Sequence, residues 1–391
     1  MRPKILALVL AAGKGGRMGP LTEDRAKPNL PFGGTYHLID FPLTNCVHSG
    51  IHDVWVVQQH HPHGLTDHLA NGRPWDLDRT TGGFRTLHPF TDRASENWQQ
   101  GNAHALYTHL RFIEDFDPDI VVVLSADHIY SYDYRDAIDA HLERKAGLTI
   151  VTADVGVERA SRHGVVERDG DRVTRFLTKP DEPPTGEVAT EIFVYTAERL
   201  ITELRSIVDD EGEEALGDFG DALVPRFVEA GEAYALPIDG YWRDVGTLDA
   251  YWEGHRDLLR PDCDLTLDDE DWPVLGQPAN RPPARFLDGA APVDSLVSAG
   301  CVVAGTVERS VLGPGTSVGA GARVVDSILM ENVVVAAGAT VTRAIVAADA
   351  TIGEGATVGE AGGELTVLGA GHEVDAGATV TPADDDQDDD A

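Results

Sequence analysis

From Val318 onward, branched aliphatic residues recur in pairs and triplets spaced by six positions, and no other feature of the chain limits its fold as tightly. Val318 and Val324, Val335 and Val341, then Val346, Ile352 and Val358 keep the interval, and Leu368, Val374 and Val380 repeat it. Gly and Ala fill the gaps, as in Gly319-Ala-Gly-Ala-Arg-Val and Gly353-Glu-Gly-Ala-Thr-Val, and large aromatic residues are missing. A six-residue period predicts a parallel β-helix over residues 293–382, each strand and turn forming one face of a coil. A generic Val- and Gly-rich β-sandwich is the alternative, and the agreement of several intervals counts against it. Residues 257–292 are rich in Pro and Asp and read as a linker. The acidic run in 383–391 reads as a solvated, disordered tail.

The first 256 residues follow another pattern. Strand-like runs (Ile5–Leu10, Val54–Gln58, Ile120–Leu124, Leu148–Ala153) alternate with stretches of helical spacing such as Ala103–Phe116. Apolar, β-branched runs between helices predict an α/β domain with a mostly parallel sheet covered on both faces. Residues 72–101 lack a period and read as long loops, a length that is often functional. The chain carries 66 acidic and 31 basic residues, a formal charge of -35. Such a field repels phosphate backbones and anionic lipid, so neither nucleic acid nor a membrane surface is expected as a partner. Five lysines stand against 26 arginines, a bias that fits either a saline cytoplasm or GC-rich coding. Cys46, Cys263 and Cys301 are far apart and form no close ligand pair, as in a reduced cytoplasmic protein. The apolar run Ile5–Ala12 is too short to span a bilayer; Lys14 and Arg17 follow it, and it reads as a buried strand.

That strand runs into Ala11-Ala12-Gly13-Lys14-Gly15-Gly16-Arg17-Met18. Glycines let a backbone approach phosphate oxygens and present its N–H groups. Lys14, Arg17 and Lys27 concentrate positive charge in a strongly acidic chain. The spacing fits neither a dinucleotide fingerprint nor a Walker A loop. On the residues alone, a phosphate site and a structural turn both remain open.

The stretch Leu10-Ala-Ala-Gly-Lys-Gly-Gly-Arg-Met-Gly-Pro-Leu-Thr22 resembles the signature of the sugar-1-phosphate nucleotidyltransferases. Arg25-Ala-Lys-Pro28, Phe32-Gly-Gly34, Leu38-Ile-Asp-Phe41, Thr44-Asn-Cys-Val-His-Ser-Gly-Ile51, Glu96-Asn-Trp98, Ala126-Asp-His-Ile-Tyr130, Lys179-Pro180 and Tyr241-Trp-Arg-Asp-Val-Gly-Thr-Leu248 narrow it. In that order they are similar to the glucose-1-phosphate adenylyltransferase family of bacterial glycogen synthesis. The resemblance implies a Rossmann-like catalytic domain over 1–256 and gives the β-helix its left hand. It implies attack of glucose 1-phosphate on the α-phosphorus of ATP, with ADP-glucose and pyrophosphate as products and Mg²⁺ as cofactor. It also implies a cytoplasmic homotetramer, or pairing with a paralogue. By the same resemblance Arg17 and Lys27 contact the triphosphate, and Asp127 and Asp244 hold the metal. Lys179 holds the sugar phosphate, Gly101 lies beside the base, and Ala12, Gly13, Gly15, Gly16, Gln99 and Ala126 belong to the nucleotide side. Gly164 and Glu191 belong to the sugar side, as does Asp244.

The sequence departs from the family at identifiable places. Gly16 stands for Thr, Ala12 and Ala126 for Gly, and His104 for Asp. Gln99-Gln100-Gly101-Asn102 replaces Tyr-Arg-Gly-Thr, and Thr178 replaces a sugar-facing Glu. Ala189 and Glu191 occupy the places of a Ser and a Gly. Glu191 either restores the carboxylate that Thr178 lacks or points to solvent. The altered base and sugar walls suggest another nucleotide or hexose 1-phosphate as substrate, or a regulatory or scaffold subunit. Retention of Arg17, Lys27, Asp127, Lys179 and Asp244 argues against a pure scaffold. The short N-terminus and acidic tail lead us to expect little activation by fructose bisphosphate, pyruvate or 3-phosphoglycerate. His60, His61 and His63 match no strong zinc spacing and read as a solvated loop.

Overall fold

Val54-Trp-Val-Val-Gln and Ile120-Val-Val-Val-Leu carry apolar groups on both sides of the chain, so water is excluded only if both faces are covered. In the computed structural model, which describes residues 3–13, 15–88, 101–277 and 279–382, both runs are inner strands of a nine-stranded sheet. In chain order the strands are β1 (Ile5–Ala11), β2 (Pro31–Phe32), β3 (Tyr36–His37), β4 (Val54–Gln58), β5 (Phe84–Leu87), β6 (Ile120–Ser125) and β7 (His128–Tyr130). There follow β8 (Leu148–Asp154), β9 (Gly164–Asp169), β10 (Arg172–Thr178), β11 (Glu187–Thr196), β12 (Ala233–Pro237) and β13 (Trp242–Asp244). The sheet order is β5-β4-β1-β6-β11-β8-β12-β10-β9. Its first four strands are parallel, as the apolar runs predict. Beyond β6 the sheet is mixed, because β11 enters antiparallel between β6 and β8 and because β9 and β10 form a hairpin, which needs no crossover.

The chain divides into two compact units, and their borders differ from those expected. The first takes residues up to 14, 39–244 and 269–276; the second takes 15–38, 245–268 and the chain from 277 on. Residues 269–276, expected within a linker, are held by the first unit: the Thr44 hydroxyl donates to the Leu275 carbonyl at 3.1 Å, and Trp272 Nε1 donates to Asn45 Oδ1 at 2.8 Å. Residues 285–293 already form the opening coil, through β14 (Arg285–Phe286) and β15 (Ala291–Val293).

The second unit contains a left-handed parallel β-helix whose faces are sheets of six, six and five strands. Val318 pairs with Val335 and Val324 with Val341, and corner side chains meet across 17 residues, one short of three full six-residue faces. The missing residue is taken at the corner holding Arg309, Asp326 and Arg343, all left-handed at φ 46, 48 and 49°. There Arg309 donates from Nε and Nη2 to the Asp326 carboxylate at 2.9 Å each. Beside it the Ser310 hydroxyl accepts from the N–H of Ser327, and the Ser327 hydroxyl from that of Ala344. Val318, Val324, Leu329, Val335 and Val341 fill the interior.

Residues 15–38 pack on this coil through an Arg25–Glu331 ion pair at 2.5 Å and the contact of Gly34 with Ser298. The helix Leu248–Asp257, capped by the Thr247 hydroxyl on the Ala250 N–H, joins them: Tyr251 donates to the Pro31 carbonyl, and Trp252 Nε1 to the Asp326 carbonyl at 2.8 Å. Among the described residues no helix is long and apolar enough to cross a membrane.

Candidate active site

In the first unit, β1 and β6 are parallel neighbours and end together. Just past β6, Ala126 donates its N–H to the Leu10 carbonyl at 3.2 Å, and the chain turns at Asp127. The carboxyl ends of such strands are where open α/β sheets receive ligands. The Asp127 side chain is 23% exposed. β7 follows and pairs antiparallel with β13, which sets His128 opposite Asp244. This short ribbon brings the second carboxylate, itself 22% exposed, to the imidazole that follows the first.

His128 lies between them. Its Nδ1 is 2.9 Å from the Thr190 carbonyl, which can only accept, so Nδ1 carries the proton. Its Nε2 is 3.5 Å from Asp244 Oδ1 and 3.8 Å from Asp127 Oδ1. Burial pushes the imidazole pKa down, but Asp244, Glu191 and Asp127 with the Thr190 hydrogen bond carry it above the ordinary value.

Glu191 sits in a bulge of β11, whose register with β8 shifts between Ala189 and Phe193. Its φ is 56°, a left-handed backbone that costs a non-glycine residue about 1–2 kcal/mol. The ligand atoms of Asp127, His128 and Glu191 lie within 4.8 Å of one another, so the carboxylate faces the site while staying open to water. The Ser125 hydroxyl donates to Asp127 and is also within reach of Glu191. Desolvation raises the Glu191 pKa; His128 opposes this, Asp127 and Asp244 add to it, and the net shift is upward.

The β9–β10 hairpin forms an adjoining wall. Gly164 pairs with Thr178, and a Cβ on Gly164 would lie 2.4 Å from the Phe176 ring, so glycine is needed there for packing. Lys179 donates its N–H to the His163 carbonyl at 3.0 Å, and His163 Nδ1 lies 3.8 Å from Asp244 Oδ2. Trp242 meets both His128 and His163 edge-on. The Lys179 ammonium is exposed, 4.0 Å from Asp218.

Gly101 is also a packing requirement: a Cβ would come 2.2 Å from the Gly217 carbonyl oxygen, which accepts the Ala103 N–H. His104, in place of the family's Asp, meets Glu213 at 2.9 Å. Ala126 is fully buried and offers a ligand no side-chain surface. Ala12 is half-buried and Gly13 exposed at the end of β1. Gln99 and Lys14 lie outside the described residues. His61 and His63 are exposed.

Gly15, Gly16, Arg17 and Lys27 belong to the second unit. Gly15 is left-handed at φ 69°, and its carbonyl accepts from the Thr22 hydroxyl at 3.0 Å and the Met18 N–H at 2.9 Å. These bonds start a 3₁₀ turn after Gly15, and Gly16–Leu21 is broken by a kink at Gly19, whose φ is 48°. A Cβ on Gly15 would lie 3.1 Å from the Lys27 Cβ, so the loop closes over the base of Lys27, which is buried, while Arg17 is exposed. His128, Ser125 and His163 were not singled out from sequence. The place of His128 next to Asp127 was the one signal available; the other two are visible only through their contacts.

Carboxylates at the carboxyl end of this sheet, in one chain with a hexapeptide coil, are what the resemblance to the sugar-1-phosphate nucleotidyltransferases implies. A family model described as "Nucleotidyl transferase" matches residues 6–260, and one described as "GlmU-like, C-terminal hexapeptide" matches 282–364. The chain is 39% identical over 321 residues to a glucose-1-phosphate adenylyltransferase of Thermosipho africanus (strain TCF52B), covering 82% of this chain and 77% of that protein. It is 42% identical over 322 residues to one of Thermotoga sp. (strain RQ2), covering 82% and 76%. It is 39% identical over 327 residues to one of Clostridium botulinum (strain Alaska E43 / Type E3), covering 83% and 84%. Within the nucleotidyl transferases, the chain belongs to the glucose-1-phosphate adenylyltransferase family.

Proposed function

We propose that this enzyme transfers the adenylyl group of ATP to glucose 1-phosphate, forming ADP-glucose for α-glucan synthesis. The observation that carries the reading is the β7–β13 ribbon, which sets Asp244 opposite His128, the neighbour of Asp127. A sugar-phosphate oxygen forms the new bond to the α-phosphorus, and the bond from that phosphorus to the bridging oxygen of pyrophosphate breaks. The attacking oxygen is already anionic, so the protein has to position and neutralise rather than remove a proton.

Asp127 and Asp244 are hard oxygen donors, partly exposed and converging on one imidazole, and they fit a Mg²⁺ ion. When bound, the ion offsets negative charge on the phosphates. His128, its Nδ1 proton held by the Thr190 carbonyl, keeps its Nε2 3.5 Å from Asp244 and 3.8 Å from Asp127. Arg17 and Lys27 bind the triphosphate, with Ala12, Gly13, Gly15, Gly16 and Gln99 on the nucleotide side and Gly101 and Ala126 as its backbone supports. Lys179 binds the sugar phosphate beside Gly164. We further infer a cytoplasmic homo-oligomer, a tetramer by the family's habit.

The test is pyrophosphate release with Mg²⁺ across nucleoside triphosphates and hexose 1-phosphates. We expect the ATP and glucose 1-phosphate pair to turn over fastest. Asp127→Asn and Asp244→Asn should each lower kcat by about a hundredfold or more with little change in unfolding midpoint. Undiminished kcat in either variant would remove the basis of the reading, and faster turnover of another pair would reassign the substrates.

A further inference from the structure

Three carboxylates, Asp127, Asp244 and Glu191, surround one imidazole. A single histidine cannot balance them, whereas a dication can. Asp127, His128 and Glu191 present their ligand atoms within 4.8 Å of one another, close enough for a shared ion. The Ser125 hydroxyl lies between two of the carboxylates and can donate to either. The backbone of β11 points the same way. Its register shift centres on Glu191, and a bulge re-aims one side chain off the regular pleat. Here the re-aimed side chain is a carboxylate, held at φ 56°, where glycine would be relaxed.

We propose that Glu191 is a third carboxylate ligand of the divalent metal held by Asp127 and Asp244, and not a contact to the sugar. The inference rests on the metal role assigned to that pair. With Glu191, the site offers the ion a further oxygen ligand from the protein. A hard divalent cation gains affinity from each carboxylate in reach.

The experiment is Mn²⁺ binding to the full-length protein without substrates, followed by electron paramagnetic resonance, with Mg²⁺ as competitor. Glu191→Gln keeps the shape and removes the charge. Glu191→Gly removes the ligand and relaxes the backbone, so its unfolding midpoint should hold or rise. We expect each to weaken Mn²⁺ binding about tenfold or more. Asp127→Asn and Asp244→Asn serve as references. If they weaken binding and neither Glu191 variant does, the third-ligand assignment is wrong while the metal pair stands. If none of the four weakens binding, the metal pair itself is wrong and the inference falls with it.

Discussion

At the scale of single residues, the space around a backbone atom separates glycines that the motif groups together. Gly13 has no atom within 4 Å of where a Cβ would go, whereas at Gly101 a Cβ would lie 2.2 Å from the Gly217 carbonyl oxygen. We expect Gly13→Ala to leave the urea midpoint unchanged. Gly101→Ala should cost about 1–3 kcal/mol or more, since backbone and not a side-chain tip must move. Equal midpoints for the two would contradict the packing argument. The same scale shows how far the site could be read from sequence. Asp127 and Asp244 were legible because each sits in a recognisable run. His128 and Ser125 were not, because their roles arise from a strand pairing and a turn. Glu191 stands out in the sequence as a carboxylate at the place of a Gly, but its direction depends on a bulge whose register no local pattern encodes.

At the scale of elements, the coil shows which of its devices carry stability. Val324 is fully buried, and Val324→Ala should cost about 2 kcal/mol from lost burial and an unfilled cavity. Asp326→Ala removes two charge-assisted hydrogen bonds from a partly exposed ion pair, for which about 1 kcal/mol is the ceiling. Thermal or urea unfolding of the two variants should rank them in that order. Residues 15–38 form an element in their own right, seated on the coil. A Cβ on Gly34 would lie 2.4 Å from Ser298 Oγ, and the φ of 85° opposes any branched side chain. Gly34→Val should therefore unseat the segment bearing Arg17 and Lys27, lowering turnover while the coil still folds. Wild-type turnover in this variant would show that the seating does not matter.

At the scale of the whole molecule, buried histidines link stability to pH. The Thr196 hydroxyl donates to the Ala146 carbonyl, so it accepts from His141 Nε2–H, and Nδ1 is left to accept from Thr149. His255 donates Nδ1–H to the Tyr251 carbonyl and packs tilted against Phe32, the ring centroids 4.4 Å apart. Burial lowers both pKa values to about 4 from an ordinary 6.5. Between those values the unfolded chain binds more protons than the folded one, so these groups destabilise the fold as pH drops from 6.5 toward 4. Their contribution is full above 6.5 and comes to about 3 kcal/mol each. The urea midpoint of the wild type should fall across that window, and His141→Gln or His255→Gln should flatten the slope. An unchanged slope in both variants would overturn the assignment. A charge of -35 acts separately: added salt should raise the midpoint near neutral pH by screening self-repulsion.

What the sequence determined by itself was the repeating and the contiguous. The β-helix was readable because buried aliphatic residues recur six positions apart on successive faces, whatever the length of the coil. The one-residue shortfall of the 17-residue coils lies in the same numbers, hidden by a corner that six-residue intervals skip. The parallel half of the sheet was readable because β1, β4 and β6 are apolar at nearly every position. Tertiary structure decided whatever joins residues far apart in the chain. It paired β7 with β13, so that Asp244 faces His128, the neighbour of Asp127. It turned Glu191 toward His128, and it assigned residues 15–38 to the unit that contains the coil. Such contacts depend on which distant surfaces exclude water from one another and which backbone groups they pair, and neither condition is written in the order of neighbouring residues.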